Sequence, residues 1–522
     1  MSESTIITAG AIVYVAILAA ISVYASRNVH DSADFVVAGR RLPLWLCVFT
    51  VFATWFGSGT LIGAAGAAYS GGLMAVLANP FGSALCLLLA GLFYVRFLRR
   101  MQLLTLPDLF RQRYGRPAEV LCAVCVIPAY VGWVASIFVA FGTVLNTVAE
   151  VDLVTAIFVG AAITVAYTAA GGMWAVSLTD FVQALIIIVG LALLFPLVIS
   201  DFGGWSAFVS AAPAGHFNLV PEPTLFGWSM FLQGLLVIGL GNIASQDLLQ
   251  RAFASRDEAV AQWAMYISTV LYLTVAMIPV LVGIAGAVLM PDLASPESIL
   301  PAMGKAYLHP VAMAVFVGAL FAALMSSADG GLLAPASIIG RNLLGLFRRD
   351  PTEQQVLAAM RWSIVVLGVF ALFIALYFQN VYQLMVKSFS ILMVGLFVPM
   401  TAAIYWRRAN GPGAVASIVV GVLTWLGLER LNARPDVTLP SALVTAPSVA
   451  ALVRAFTTSA GVQLEFPSSQ SAAAPATCGE AMDVPLEVKE SVSVKSPVER
   501  TPWPLVTTSG LMRPSSTGPQ PE

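Results

Sequence analysis

Charged residues are scarce in this sequence. They make up only 10% of the 522 residues, whereas 59% are hydrophobic and the mean hydropathy is +0.87. A soluble domain carries about a quarter charged residues. The net charge of −1 gives no reason to expect a nucleic-acid partner. These values exclude an ordinary soluble protein and predict a protein that is embedded in a lipid bilayer.

Histidine and cysteine are also scarce, and this limits the chemistry that the chain can perform. The three histidines, His30, His216 and His309, fall in loops or at the edge of an apolar segment, so no base is placed to activate a serine. Cys122 and Cys125 form a lone C-x-x-C pair, which indicates buried small side chains rather than a zinc site or a disulfide framework. We therefore predict that the protein is not an enzyme and needs no organic cofactor.

Long apolar segments dominate what is present, and each can cross a bilayer as a helix, which satisfies its own backbone there. The first segment begins with MSESTIITAG, which lacks the basic start of a cleaved signal peptide. We predict twelve spans, near residues 5–25, 43–70, 73–98, 118–148, 153–170, 173–199, 226–246, 262–290, 308–340, 358–379, 382–406 and 412–429.

The loops between these spans differ in charge. Loops on one side carry many arginines, among them Arg40, Arg99 and Arg348, whereas loops on the other side up to residue 424 contain a single cation, Lys305. Cytoplasmic loops of membrane proteins are enriched in Lys and Arg. We therefore predict a multi-pass protein of the plasma membrane with its N-terminus outside.

The spans after the first divide into two sets of five, in residues 43–199 and 226–406. Because five is odd, the second set enters the membrane from the opposite side. Each set begins with an interrupted helix, at Gly57-Ser58-Gly59 in the first and around Gly239, Gly241 and Asn242 in the second. Matching broken helices are typical of secondary transporters with inverted repeats. Glycines that only allow close helix packing are the alternative interpretation.

The predicted fold is an all-α polytopic membrane protein with a 5+5 inverted repeat. Its first and sixth core helices are broken, and it has one extra N-terminal helix and one or two extra C-terminal helices. The predicted organisation is an N-terminal helix and loop (1–42), the two repeats (43–199 and 226–406), an additional helix (407–434), and a weakly apolar stretch with a tail (435–522). The tail is rich in Ser, Thr and Pro, which is typical of disorder.

A few polar residues lie inside the predicted spans, where a charge costs at least about 2.5 kcal/mol. Asp180, Asp329 and Lys387 are three of them. Asp247 and Arg251 lie near the end of their helix, where a solvated end-cap role is expected. If Lys387 faces the central cavity, the solute carries a carboxylate; if it lies near the surface, it can snorkel to water.

The run ALMSSADG places several oxygens at one depth. The Ala323 carbonyl and the Ser327 hydroxyl share one helix face, and Ser326 and Asp329 share the neighbouring face. Hydroxyl and carbonyl oxygens suit a hard cation such as Na⁺. The alternative is that the serines bond only to carbonyls of their own helix.

Five motifs, in order along the chain, resemble the sodium:solute symporter family, which has the leucine-transporter-type inverted-repeat fold. They are ATWFGSGTLIGAAGAAYSGGL, TLPDLFRQRYG, YTAAGGMWAVSLTDFVQ, SQDLLQRAFASRDEA and MSSADGGLLAPASIIGRN. The resemblance runs from about residue 5 to residue 430. It implies Na⁺-coupled import of a small organic solute by alternating access.

The resemblance also implies the site residues. The Na⁺ ligands would be the backbone carbonyls of Ala53, Phe56 and Ala323 and the hydroxyls of Ser326 and Ser327. Asp180 would lie on the route of the ion or at a second ion site. The solute would be held by Trp55, Ser58, Ser245, Gln246 and Lys387, with Asn79, Trp133 and Ser388 as further contributors.

Other classes of function stay open at this point. An H⁺-coupled transporter of the same fold would use Asp180 or Asp329. A transporter-derived sensor would need a soluble signalling domain, and a membrane-embedded enzyme would need an activating base, so both are remote alternatives.

Overall fold

The computed structural model describes residues 31–432, together with residues 20, 21, 440 and 441. The predicted first span and nearly all of the predicted segment 435–522 lie outside the described residues. Within them the chain is helical, and the one extended pairing is an isolated bridge between Leu42 and Ser255.

The helices of the first half are α1 (Ser32–Val37), α2 (Leu44–Trp55), α3 (59–71), α4 (77–100), α5 (Leu106–Tyr114), α6 (Arg116–Ala149), α7 (Leu153–Gly171), α8 (Met173–Asp201) and α9 (Trp205–Ala211). Those of the second half are α10 (Leu225–Gly241), α11 (Gln246–Ala254), α12 (Glu258–Leu289), α13 (Ile299–Tyr307), α14 (Pro310–Phe347), α15 (Glu353–Tyr377), α16 (Val381–Tyr405) and α17 (Gly411–Asn432). Nine helical stretches of the described chain are long and apolar enough to span a membrane, and α2 and α7 contribute shorter apolar helices.

Both predicted interruptions are present. In the first, the last bond of the α2 ladder runs from the Phe56 N–H to the Phe52 carbonyl, and the next bonds end on the Gly57 carbonyl. In the second, α10 ends at Gly241, a single 3-10 turn follows, and Ser245 is extended before α11 begins. Each broken helix is followed by four further apolar helices, namely α4, α6, α7 and α8 after the first and α12, α14, α15 and α16 after the second, which is consistent with the predicted repeat.

Small residues also let helices approach closely. A Cβ added to Gly57 would lie 2.1 Å from the Ser327 Oγ. The broken helix therefore passes close to α14 at Gly57, a residue that has no side chain. A Cβ added to Gly190 in α8 would lie 2.3 Å from the Ala319 Cβ in α14. Helix breaking and close packing are therefore both found, and the two interpretations of the glycines do not exclude each other.

Backbone contacts join the helices at both ends of the bundle. At the arginine-rich end, which holds Arg99 and Arg256, the Leu42 N–H donates to the Ala254 carbonyl and the Arg256 N–H donates to the Leu42 carbonyl, both at 3.0 Å. At the opposite end, the Glu297 carboxylate accepts the first two N–H groups of α16 at 3.1 Å each, and its burial raises the pKa of Glu297. The start of α2 is thus tied to the end of α11, and the loop before α13 is tied to the start of α16.

The contact between α8 and α14 makes a stability prediction. Gly190→Ala places a methyl group against Ala319, so we expect the free energy of unfolding to fall by about 1–3 kcal/mol through overpacking. Thermal unfolding in detergent measures this change. Gly318→Ala is the matched control in α14, because nothing lies within 4 Å of an added Cβ there. Equal melting temperatures for the two variants would contradict the packing described.

Candidate functional site

A buried carboxylate connects four helices. The Asp180 side chain in α8 is fully buried, and its Oδ1 accepts a hydrogen bond from the Ser326 Oγ at 2.5 Å. Its Oδ2 accepts hydrogen bonds from the Thr50 hydroxyl and, at 3.4 Å, from the Thr54 hydroxyl. The Arg251 guanidinium lies 3.7 Å from the same oxygen, an ion-pair distance rather than a hydrogen-bond distance. The negative charge of Asp180 is therefore balanced by a fixed cation of the protein.

Arg251 is held by the backbone as well. Its Nε donates to the Thr50 carbonyl at 3.3 Å, and its Nη1 donates to the Asp247 carbonyl at 3.1 Å. Gly330 in α14 leaves the room that the guanidinium occupies, since an added Cβ would lie 3.1 Å from Nη2. The expectation of a solvated end-cap role for Asp247 and Arg251 was wrong, because these residues are only 3% and 1% exposed.

The break after α2 leaves carbonyl oxygens without their helical partners. The Trp55 carbonyl accepts a hydrogen bond from the Thr60 hydroxyl at 3.2 Å, and the Thr54 carbonyl accepts one from a serine of α14. Among the described residues, no hydrogen bond reaches the carbonyls of Ala53 and Phe56. Two backbone oxygens at the break are thus available to a cation.

The serines of α14 face this break. The Ser327 Oγ donates to the Thr54 carbonyl at 2.7 Å, while the Ser326 Oγ donates to Asp180. Both bonds cross to another helix, whereas Ser337 in the same helix bonds to its own Leu333 carbonyl at 2.7 Å. Ser326 and Ser327 therefore differ from ordinary back-bonded serines of a membrane helix.

A small cavity lies between the two broken helices. Of the residues predicted to hold the solute, Trp55, Asn79 and Trp133 line it. The other lining residues were not predicted; they are Gly57, Gly59, Ser83, Ile238, Asn242, Asp247, Met385 and Phe389.

Three polar residues of the predicted solute site bond elsewhere. The Gln246 side chain accepts from the Leu106 N–H at 2.6 Å and so turns toward the start of α5. The Ser58 hydroxyl pairs with the Ser136 hydroxyl at 2.9 Å, and Ser388 bonds to the carbonyl of a residue one turn earlier in α16. Ser245 is fully buried at the start of α11 and is not among the residues that line the cavity.

Lys387 also lies away from the cavity. Its side chain is 65% exposed, and its Nζ is 3.7 Å from the Glu429 carboxylate in α17. Of the two alternatives left open by the sequence, the structure places Lys387 at the outer surface of the bundle. The suggestion that the solute carries a carboxylate depended on the other alternative and loses its basis.

Asp247 is the one charged residue among the lining residues that the sequence interpretation missed. Its carboxylate accepts a hydrogen bond from the Tyr130 hydroxyl, which in turn accepts the Asp247 N–H at 2.9 Å. The signal that points to it is its position, because it is the second residue of α11, directly after the break. Residues that follow a break in a transporter helix commonly face the binding site.

A membrane bundle with two broken helices around a central cavity defines a secondary transporter. The chain belongs to the sodium:solute symporter family, whose profile matches residues 35–421. The human high affinity choline transporter 1 is 31% identical over 409 residues, which are 75% of this chain and 70% of that relative. The sodium/pantothenate symporter of Escherichia coli is 26% identical over 441 residues, which are 81% of this chain and 90% of that relative.

A solved structure shows the same fold. It is a Na⁺-coupled sialic acid symporter in a substrate-bound, outward-open state, with a TM-score of 0.75, 21% sequence identity and coverage of 87% of this chain and 98% of that one. The predicted fold class is therefore confirmed. The protein is a Na⁺-coupled symporter of a small organic solute in a multi-pass membrane fold, and not an enzyme.

The ion pair between Asp180 and Arg251 makes a second stability prediction. Arg251→Met leaves a buried carboxylate without its cation, so we expect the free energy of unfolding to fall by about 3–5 kcal/mol. Asp180→Asn should also destabilise the protein, and the double variant should recover much of the loss because no charge then stays unpaired. Unfolding of all four proteins in detergent gives the coupling energy, and purely additive effects would refute the pairing.

Proposed function

We propose that the Na⁺ ion that drives transport binds where the break after α2 meets α14. Its ligands are the backbone carbonyls of Ala53, Phe56 and Ala323 and the hydroxyls of Ser326 and Ser327. The observation that carries this proposal is the pair of carbonyls without hydrogen-bond partners beside two serines that face the neighbouring helix. Hard cations prefer such a set of oxygens.

Asp180 acts in this proposal through Ser326. Because the Ser326 hydroxyl donates its hydrogen bond to Asp180, its lone pairs are free to point toward the ion. The carboxylate also lies one hydrogen bond from the ion site, so it can attract Na⁺ along its route. We assign Asp180 to the ion's route rather than to a second ion site, since Arg251 already balances its charge.

The solute binds in the cavity between the two breaks, against Trp55, Asn79 and Trp133. Trp55 stands between Ala53 and Phe56 in the chain, so ordering these carbonyls around Na⁺ also orders a wall of the cavity. Sodium binding should therefore raise the affinity for solute, and solute should raise the affinity for Na⁺ by the same factor. Choline, the solute in the names of several relatives, is the first solute to test.

Transport runs inward in this proposal. The protein lies in the plasma membrane, with its arginine-rich end facing the cytoplasm and its N-terminus outside. The strong bias of arginine toward one side supports this orientation. The solute enters from the outer side together with Na⁺ and leaves at the arginine-rich end.

The sodium site predicts a loss of ion-dependent stability in a double variant. Na⁺ at about 100 times its dissociation constant should stabilise the native protein by about 2.7 kcal/mol against heat or denaturant. Ser326→Ala/Ser327→Ala should abolish this gain and also abolish the Na⁺-dependent change in tryptophan fluorescence. Ser337→Ala is the matched control, because this serine is equally buried in α14 but bonds only to its own helix.

The same samples separate Na⁺ coupling from proton coupling. A stabilisation by Na⁺ that survives in the double variant would refute the ion site. Asp180 and Asp329, which accepts a hydrogen bond from Thr168 at 2.7 Å, are the carboxylates that a proton carrier would use. Uptake that is driven by a pH gradient without Na⁺ and that loses its pH dependence in Asp180→Asn would establish the H⁺-coupled alternative.

A further inference from the structure

We propose that the central cavity is built for a small organic ammonium cation, and that Asp247 is the counter-ion of this solute. The proposal names the solute class of the transport site described above and rests on that site being the cavity between the broken helices. The lining residues that carry the argument are Asp247, Trp133, Phe389, Trp55 and Asn242, and Tyr130 bonds to Asp247.

The Asp247 carboxylate has no cation of its own. It is 3% exposed and lines the cavity, and among the described residues no Lys, Arg or His forms an ion pair with it. Arg251 lies one turn further along α11. Its Nη1 donates to the backbone carbonyl of Asp247 and not to the carboxylate, and its Nη2 forms the ion pair with Asp180. Tyr130 donates a hydrogen bond to the carboxylate without neutralising it. A buried charge needs a partner, and the cavity is the space where one can enter.

Asp247 lies at the N-terminal end of α11, as the second residue of this helix. The cavity lining in the described chain contains no Lys, Arg or His that could receive an anionic group. Asp247 is therefore the one acidic side chain of this lining, and the lining offers an anionic solute no basic side chain.

Aromatic rings line the same cavity. The Trp133 ring lies 5.7 Å from the Tyr130 ring and 5.3 Å from the Phe389 ring, measured between centroids. Trp55 also lines the cavity. Faces of aromatic rings attract organic ammonium groups and replace water around them at little cost. Aromatic rings around a carboxylate thus match a cation with an apolar surface better than a bare metal ion.

Two buried polar atoms indicate a second group on the solute. The Trp55 Nε1 and the Asn242 Oδ1 have no hydrogen-bond partner among the described residues, although Trp55 is 8% and Asn242 6% exposed. A buried donor and a buried acceptor without partners cost free energy, and a hydroxyl group can pair with either kind of atom. We therefore infer that the solute joins an ammonium group to a neutral hydrogen-bonding group such as a hydroxyl.

Binding measured by quenching of tryptophan fluorescence in saturating NaCl tests the proposal. The probes are choline, its uncharged isostere 3,3-dimethylbutan-1-ol, and glycine betaine, which adds a carboxylate. Choline should bind saturably, and the isostere and the betaine should each bind at least about 30-fold more weakly. The isostere lacks the positive charge, and the betaine adds a carboxylate for which the cavity has no basic partner. This comparison uses the wild-type protein and does not depend on the folding of a variant.

Asp247→Asn provides the second arm of the test. Because it removes the counter-ion, it should weaken choline binding by at least about 30-fold and leave the isostere unaffected. Glu429→Gln is the matched control, since this carboxylate pairs with Lys387 outside the cavity and its loss should leave choline binding unchanged. Sodium-dependent stabilisation of each variant shows that the fold and the ion site are intact.

Several results would overturn the proposal. They are equal binding of choline and its isostere, tighter binding of the betaine, unchanged choline affinity in Asp247→Asn, or no binding of any ammonium probe by a sample that still responds to Na⁺. Failure of the ion site gives a different pattern. In that case Na⁺ produces no stabilisation in the wild-type protein, whatever the solute probes show.

Discussion

The ion pair between Asp180 and Arg251 is the contact on which the central part of this protein depends. Both side chains are fully buried in a membrane bundle, where an unpaired charge is costly. The pair draws α8 and α11 together, and hydrogen bonds to Asp180 add Thr50 of α2 and Ser326 of α14. A broken helix has lost part of its own backbone bonding, so its position must come from contacts with its neighbours. This cluster supplies such contacts for both broken helices.

The short helix α11 connects the ion region to the cavity. Asp247 and Arg251 are four residues apart and hence neighbours along one side of α11, and the Arg251 guanidinium bonds to the Asp247 backbone. Asp247 lines the cavity, while Arg251 pairs with Asp180, the carboxylate that accepts the hydrogen bond of Ser326. A shift of α11 on solute binding therefore moves Arg251. Arg251 contacts Asp180, and Asp180 contacts Ser326, which is one of the proposed Na⁺ ligands. This contiguous set of side chains offers a physical basis for the reciprocal effect of ion and solute.

Much of the fold was predictable from the sequence, because hydropathy marks the spans and glycine marks the breaks. The predicted span 43–70 corresponds to α2 and α3, and its interruption lies at the predicted glycines. Ser326, Ser327 and Asp180 were predictable because polar residues in an apolar span are conspicuous. The Ala53 and Phe56 carbonyls came only from the resemblance, since every residue has a carbonyl and no side chain marks the exposed ones.

The residues after the second break were misplaced for one physical reason, and Lys387 was left open for another. A break resets the rotation of the helix about its axis, so the face of a residue after the break cannot be counted from residues before it. Asp247 faces the cavity and Gln246 faces away for this reason. Lys387 depended on which side of α16 meets α17, a packing choice that periodicity does not decide.

The breaks have a further consequence for alternating access. At the arginine-rich end, Leu42 before α2 is bonded to the end of α11, whereas at the opposite end Glu297 is bonded to the start of α16 and packs against Gly66 in α3. Each end is thus held by a different half of the first broken helix. Because no continuous backbone ladder joins α2 to α3, one half can tilt while the other keeps its contacts. The glycine-rich break therefore exposes carbonyls to the ion and allows the helix to approach Ser327 closely. It also lets α2 and α3 move independently of each other. These three roles explain why weak helix formers lie in the middle of a membrane span.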